Sequence, residues 1–381
     1  MARLTRRLVL PALAVGMLAV AVPASASALA TAPSGTPVVW SQLGGGPRHS
    51  GYNPAETVLT PATVPGLKQR WARSTGGTVA WPPAVVGGVV YASSFGHEVF
   101  ALRADTGRVL WSHGVGTDLP IAPAVGGGKV YVVANRTLRA LDAGTGAVRW
   151  SRTFSSTVTA PVLSAGTVYV AGQGRIIALN ATTGAQRWTS PDLGDAVESS
   201  PAVQGGVVYA GVRNGHVVAL RATDGTQLWS YFAGLDRSIF VYPVLANGCV
   251  YAVTQGGNVV ALDPGTGALR WSRDGLADAS VAGGGGVMYG AGGSTAWALN
   301  AGTGATIWTA GMPGNANGAP VVGGGVLYVP TYPGGVAAFN ARTGAPLWTH
   351  TFGQFTTASP VVVNGRLFVG SDDGNLYALS S

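Results

Sequence analysis

The sequence predicts an all-β chain folded as an eight-bladed β-propeller, and three residue ladders running in step predict it. Tryptophans stand at Trp71, Trp111, Trp150, Trp188, Trp229, Trp271, Trp308 and Trp348, spaced by 37 to 42 residues. Aromatic residues Tyr91, Tyr131, Tyr169, Tyr209, Tyr251, Tyr289 and Tyr328 each lie 19 or 20 residues before the next Trp, and Phe368 continues the series. Eight residues before each of these stands Pro83, Pro123, Pro161, Pro201, Pro243, Val281, Pro320 or Pro360. Repeats of about 40 residues with four short strands each are the signature of a propeller.

Each unit reads as strands A to D. In the second, Pro123-Ala124-Val125 is strand A, followed by a Gly126-Gly127-Gly128 turn. Strand B is Val130 to Val133 and strand C is Leu138 to Leu141, joined by a turn at Asn135-Arg136. A turn over Asp142 to Gly146 leads to strand D, which ends at Trp150. Val, Tyr and Leu favour strands, and Gly, Asn and Asp supply the positive φ of tight turns. No segment has helical periodicity. The last unit lacks a Trp strand, whereas Trp71 has no A, B or C strand before it. Docking the Trp71 strand on the C-terminal three strands completes blade eight and closes the ring. The eight ladder tryptophans are expected to be buried between neighbouring blades.

The chain divides into an export signal over 1–28, a lead-in over 29–64 and the propeller over 65–381. Arg3, Arg6 and Arg7 precede an apolar run from Leu8 to Val22, and Ala24-Ser25-Ala26 and Ala26-Ser27-Ala28 offer small-x-small cleavage sites. Thr5 to Leu10 also resembles a twin-arginine signal, so either export route fits. A secreted or cell-envelope location follows, with no membrane span after signal removal and no cysteine positioned for lipid attachment. Cys249 is the single cysteine, so no intramolecular disulfide forms. Charged residues are 10% of the chain, against about 25% on average. Hydrophobic residues reach 47%, which excludes a disordered chain. The net charge is +8, but the arginines are scattered and no basic run points to nucleic acid.

The pattern Ala-Leu-Asp-x-x-Thr-Gly-x-x-x-Trp, as in Ala140 to Trp150 and Ala261 to Trp271, resembles the tryptophan-docking repeat of the pyrroloquinoline-quinone-like (PQQ-like) propellers. The lead-in around Arg48-His49-Ser50-Gly51-Tyr52-Asn53-Pro54 is similar to the entry segment of that family. The resemblance spans nearly all of the chain after the signal. It implies either a quinone-dependent dehydrogenase or a non-enzymatic member of the BamB-type assembly-scaffold kind. The dehydrogenases hold their quinone against adjacent cysteines, which this chain lacks, and use calcium with Glu, Asn and Asp ligands.

Strand order puts the A–B and C–D turns on one face and the D–A loops and B–C turns on the other, the top face. The A–B and C–D turns are stereotyped, whereas the D–A loops vary from 10 to 14 residues between Trp and the proline position. Variable loops on a rigid frame are where binding residues concentrate. The candidate ligand-binding residues are Trp81, Glu198, Arg237, Phe240, Tyr242, Asn317 and Tyr332, with Asp118, Asn315 and Phe355 farther out. Trp81 either stacks a ligand or plugs the rim against Pro82 and Pro83. No catalytic or metal-binding motif appears, and Asp142 and Asp263 read as turn residues. The expected function is a monomeric, non-catalytic binding or scaffold module whose top-face loops take a protein or cell-wall glycan. The alternatives are a PQQ-dependent oxidoreductase or quinone-binding protein with calcium, and a propeller hydrolase or lyase, which needs paired acid and base groups.

Overall fold

The computed structural model describes residues 39–116, 120–234, 239, 241–277 and 279–381; the segment 1–28, expected from the sequence to be an export signal, lies outside these. Eight antiparallel sheets form the blades. Blade 2 shows the pattern: Ala124–Gly126, Lys129–Ala134, Thr137–Asp142 and Val148–Thr153 pair in order. Blade 8 combines Val361–Val363, Arg366–Gly370 and Asn375–Ser380 with Lys68–Ser74, which pairs Lys68 with Ser380 and Trp71 with Ala378. The ring is therefore closed by the Trp71 strand, as the sequence predicts. No helix among the described residues is long and apolar enough to cross a membrane.

The Gly and Trp of the repeat motif serve different blades. Seven indoles donate to a C–D turn carbonyl of the following blade, from Trp71 Nε1 to Ala104 O at 3.1 Å through Trp308 Nε1 to Ala341 O at 3.0 Å. The Gly of that turn lies on the same indole. Gly267 has φ 72°, and a Cβ there would come within 2.6 Å of Trp229. Tyr131 and Trp150 both donate to Ala181 O, so two ladders anchor on one carbonyl. Six of the eight ladder tryptophans are buried, while Trp150 and Trp348 are half-buried. Trp348 faces blade 8, where no C–D turn connects strand C to strand D, and its ring stacks on His350 instead. In the other turns Asp and Asn do the work expected of them. Asp142 Oδ1 accepts from the N–H groups of Gly144 and Thr145, and its Oδ2 meets Arg149 at 2.6 Å.

The lead-in threads the ring axis. Trp40 exchanges backbone hydrogen bonds with Val85 of blade 1, and Ser41 O accepts from Val125 of blade 2. The Gln42 amide accepts from Leu163 N at 2.8 Å and donates to Leu163 O at 3.2 Å in blade 3. Pro47, Arg48, Ser50 and Gly51 then accept from Val203, Leu245, Gly283 and Val322 in blades 4 to 7. Tyr52–Asn53 pairs in parallel with strand A of blade 7, and Asn53 Nδ2 donates to Val362 O of blade 8 at 2.8 Å. The inner edge of every blade, which would otherwise present unpaired backbone groups to the axis, is thus met at its middle residue.

Candidate functional site: a cup on the top face

A cavity of about 580 Å³ opens on the face formed by the D–A loops and B–C turns. Its size lies in the range of roughly 300–1,000 Å³ typical of ligand pockets. Leu43 lines it from the lead-in turn Leu43–Gly45, packed on Ala122 and Ala160. Trp81 enters from the loop before blade 1, Ile121 before blade 2 and Val158 before blade 3. Val197, Glu198 and Ser199 come from the loop before blade 4, and Tyr242 from the loop before blade 5. Gly172 and Gln173 add the B–C turn of blade 3.

The polarity is uneven. Branched aliphatic and aromatic side chains dominate, with Ser and Thr hydroxyls among them. Glu198 is the one formally charged side chain among the described lining residues, and it faces Arg213 across an exposed 3.7 Å ion pair. Such pairs contribute about 0–1 kcal/mol and leave Glu198 free to reorient. Burial pushes the Tyr242 hydroxyl up to about 12, so it remains a neutral phenol at physiological pH. Its ring meets His49 edge-on at 4.8 Å. Trp81 differs from the seven docked ladder tryptophans, because its Nε1 is buried and donates to no acceptor among the described residues. Its indole is therefore not tied into the blade framework.

Of the seven candidate ligand-binding residues, the structure brings Trp81, Glu198 and Tyr242 together in the cup. Arg237 and Phe240 lie outside the described residues, as does Asp118. Asn317 and Tyr332 belong to another part of the face. Asn317 Nδ2 donates to Thr356 O at 3.2 Å, and Tyr332 stacks on Phe355. Leu43, Val158 and Val197 were not distinguished by sequence, because generic aliphatic residues in a repeat protein carry no positional signal. Asp195 does not line the cup; its carboxylate accepts from Ala196 N at 2.7 Å.

The quinone implied by the family resemblance is a polycarboxylate. The described lining offers it one carboxylate, already paired with Arg213, and no second cation to hold its carboxylates. Calcium needs six to eight oxygen ligands, and no three His, Cys, Asp or Glu residues converge among the described residues. Cys249 is buried in blade 5 beside Arg270, away from the cup. The described residues therefore do not fit quinone with calcium.

Comparison with known proteins places the repeat. A family model, PQQ_2, described as outer membrane protein assembly factor BamB, matches residues 38–165, 135–283 and 292–381. A polyvinylalcohol dehydrogenase from Pseudomonas sp is 37% identical over 78 residues, which span 20% of this chain and 12% of that protein. Among solved structures, a quinohemoprotein alcohol dehydrogenase from Comamonas testosteroni is similar with a TM-score of 0.77 at 18% identity, covering 90% of this chain and 80% of that one. BamB from Moraxella catarrhalis gives 0.67 at 22% identity, covering 83% of this chain and all of that one (100%). At such identities the structural likeness speaks to fold. The family model, in contrast, matches most of the described sequence, and the chain belongs to the PQQ-like propeller family that it describes as outer membrane protein assembly factor BamB.

Proposed function

We propose that the protein is an exported, non-catalytic binding propeller, a scaffold whose top-face cup receives an apolar segment of a partner protein in the cell envelope. A cell-wall glycan is the other occupant to test. The observation that carries this reading is the composition of the cup: an unanchored indole, a neutral phenol and aliphatic side chains around one carboxylate. That set suits the apolar side chains of a polypeptide or the C–H face of a sugar. It suits acid–base chemistry poorly, because the described lining holds Glu198 as its one carboxylate, no histidine, and a phenol that burial pushes up to about 12. The assembly-factor description of the family model supports a protein partner. The similarity to alcohol dehydrogenases supports the competing oxidoreductase reading, against which weighs the lack of a calcium-ligand cluster among the described residues.

A photo-crosslinking amino acid at Val197, with Val148 on an outer strand as control, tests the proposal in the producing cell. A discrete adduct at position 197, absent at 148 and reduced at least about fivefold by Trp81→Ala, is expected. The thermal midpoint of the Trp81→Ala protein should stay within a few degrees of the parent. Equal labelling at both positions would sink the reading. So would saturable PQQ binding with calcium-dependent alcohol oxidation by the purified protein, and either dehydrogenase or scaffold would then be separated by that assay.

A further inference from the structure

We propose that Tyr332 and Phe355 form a second binding site, separate from the cup, that stacks the pyranose rings of a neutral glycan. The two rings lie 5.0 Å apart with planes 18° from parallel, yet they remain 50% and 40% exposed. An exposed aromatic pair on a folded domain points to recognition when the scaffold holds it rigidly in water.

The scaffold does so here. Among the described residues, only blade 7 carries an added strand on its top end: Asn315–Ala316 pairs with Thr331 and Tyr332 at the end of strand Val326–Tyr332. The loop bearing this strand is fixed at three points. Ala316 N donates to Gly293 O of blade 6, Asn317 N to Pro330 O, and Asn317 Nδ2 to Thr356 O beside Phe355. The backbones pack so closely here that a Cβ at Gly314 would strike the Tyr332 carbonyl, and one at Gly334 the Gln354 carbonyl. From blade 8, Asp372 N donates to Phe355 O at 2.9 Å. Both aromatic residues are thus held at their backbones from two sides.

The polar neighbours select the ligand. Asn315 is exposed and stands directly across from Tyr332 in register, where cross-strand side chains are about 5 Å apart. The Asp372 carboxylate accepts from the Thr357 hydroxyl at 3.2 Å and makes no ion pair with a described Arg or Lys. A pyranose ring carries C–H groups on its faces and hydroxyls on its rim. The C–H face fits an aromatic ring, and the hydroxyls fit an amide and a carboxylate that flank it. The aromatic pair, the amide and the unpaired acid together match that chemistry. The Asp372 carboxylate, in no ion pair with a described Arg or Lys, would repel an anionic polymer.

Calorimetric titration of the full protein with the β-1,4-linked hexasaccharides of glucose and of N-acetylglucosamine tests the assignment, with a Lys/Arg hexapeptide as a counter-probe. At least one hexasaccharide should bind saturably below about millimolar. Tyr332→Ala and Phe355→Ala should each weaken it about tenfold or more, equivalent to about 1.4 kcal/mol, while Tyr332→Phe retains binding and Trp81→Ala leaves it unchanged. Saturation-transfer NMR of the bound sugar should show contact to aromatic protons that Phe355→Leu removes, which covers the case of an alanine variant that fails to fold. No hexasaccharide binding at about millimolar would overturn the proposal. Binding indifferent to both alanine variants, binding lost with Trp81→Ala, or binding of the peptide alone would overturn it equally.

Discussion

His49 shows how one residue can be chemically quiet and still govern stability. It is fully buried on the axis, with φ 52° in the lead-in, and packs against Tyr242. Neither ring nitrogen makes a well-formed side-chain hydrogen bond among the described residues. Burial lowers its pKa to about 3, outweighing the opposing effect of the nearby Pro243 backbone. An unfolded histidine protonates near 6.5. Between those values the unfolded chain binds the extra proton, so this contribution to stability is whole above about pH 7 and declines as pH falls toward 3. His49→Asn keeps a residue that tolerates the left-handed conformation and removes the titration. Urea unfolding at pH 7 and at pH 4.5 should show a smaller pH-dependent loss in the variant than in the parent. Identical losses would mean that His49 does not titrate on unfolding. None of this was visible in the sequence, where His49 is one histidine among five without ligand spacing.

At the scale of the element, the lead-in and the blades were legible to very different degrees. The blades repeat, so a strand ambiguous in one unit is fixed by its equivalents in seven others, and ring closure followed from strands missing at each end. The lead-in has no repeat to read. Its contacts are one or two hydrogen bonds per blade to residues up to 309 positions away, made mostly by backbone groups that any sequence supplies. The cup fell between these cases: distance from the proline ladder pointed to Trp81, Glu198 and Tyr242, whereas the path of the lead-in that brings Leu43 beneath them was not encoded in any pattern. The same absence of a pattern kept Asn317 and Tyr332 grouped with the cup, until the added strand of blade 7 showed them apart. Gln42 is the lead-in residue whose side chain replaces a backbone contact, pairing with both polar groups of Leu163 while only 2% exposed. Gln42→Ala leaves a buried donor and acceptor unmet and should cost about 2–4 kcal/mol. Gln186→Ala, which removes an exposed contact to Arg152, should change stability by less than about 0.5 kcal/mol. Equal urea midpoints for the two variants would show that the lead-in contributes little to stability.

At the scale of the molecule, the ring has one junction unlike the others. Seven blades run through all four strands without a break, but strand D of blade 8, Lys68–Ser74, is joined to its neighbour only by hydrogen bonds and packing. The preceding blade is weakened at the same place. Trp348 has no turn carbonyl to dock on, and the buried Tyr328 hydroxyl is without a partner among the described residues. Local openings start where such links are missing. Backbone amides of Trp71 to Arg73 should therefore exchange with deuterium about tenfold faster or more than those of Trp271 to Arg273 at the equivalent position of blade 5. Uniform protection around the ring would contradict this. The axial thread has a different consequence, which concerns counting. From Trp40 to Asn53 it makes one connection per blade, in order, from the first to the eighth. A ring with one repeat deleted or duplicated would put every later connection out of step with its partner. The first segment of the fold to leave the ribosome thus acts as a gauge of ring size, read only after the last blade has been made, and it sets a limit on how this propeller can gain or lose repeats during evolution.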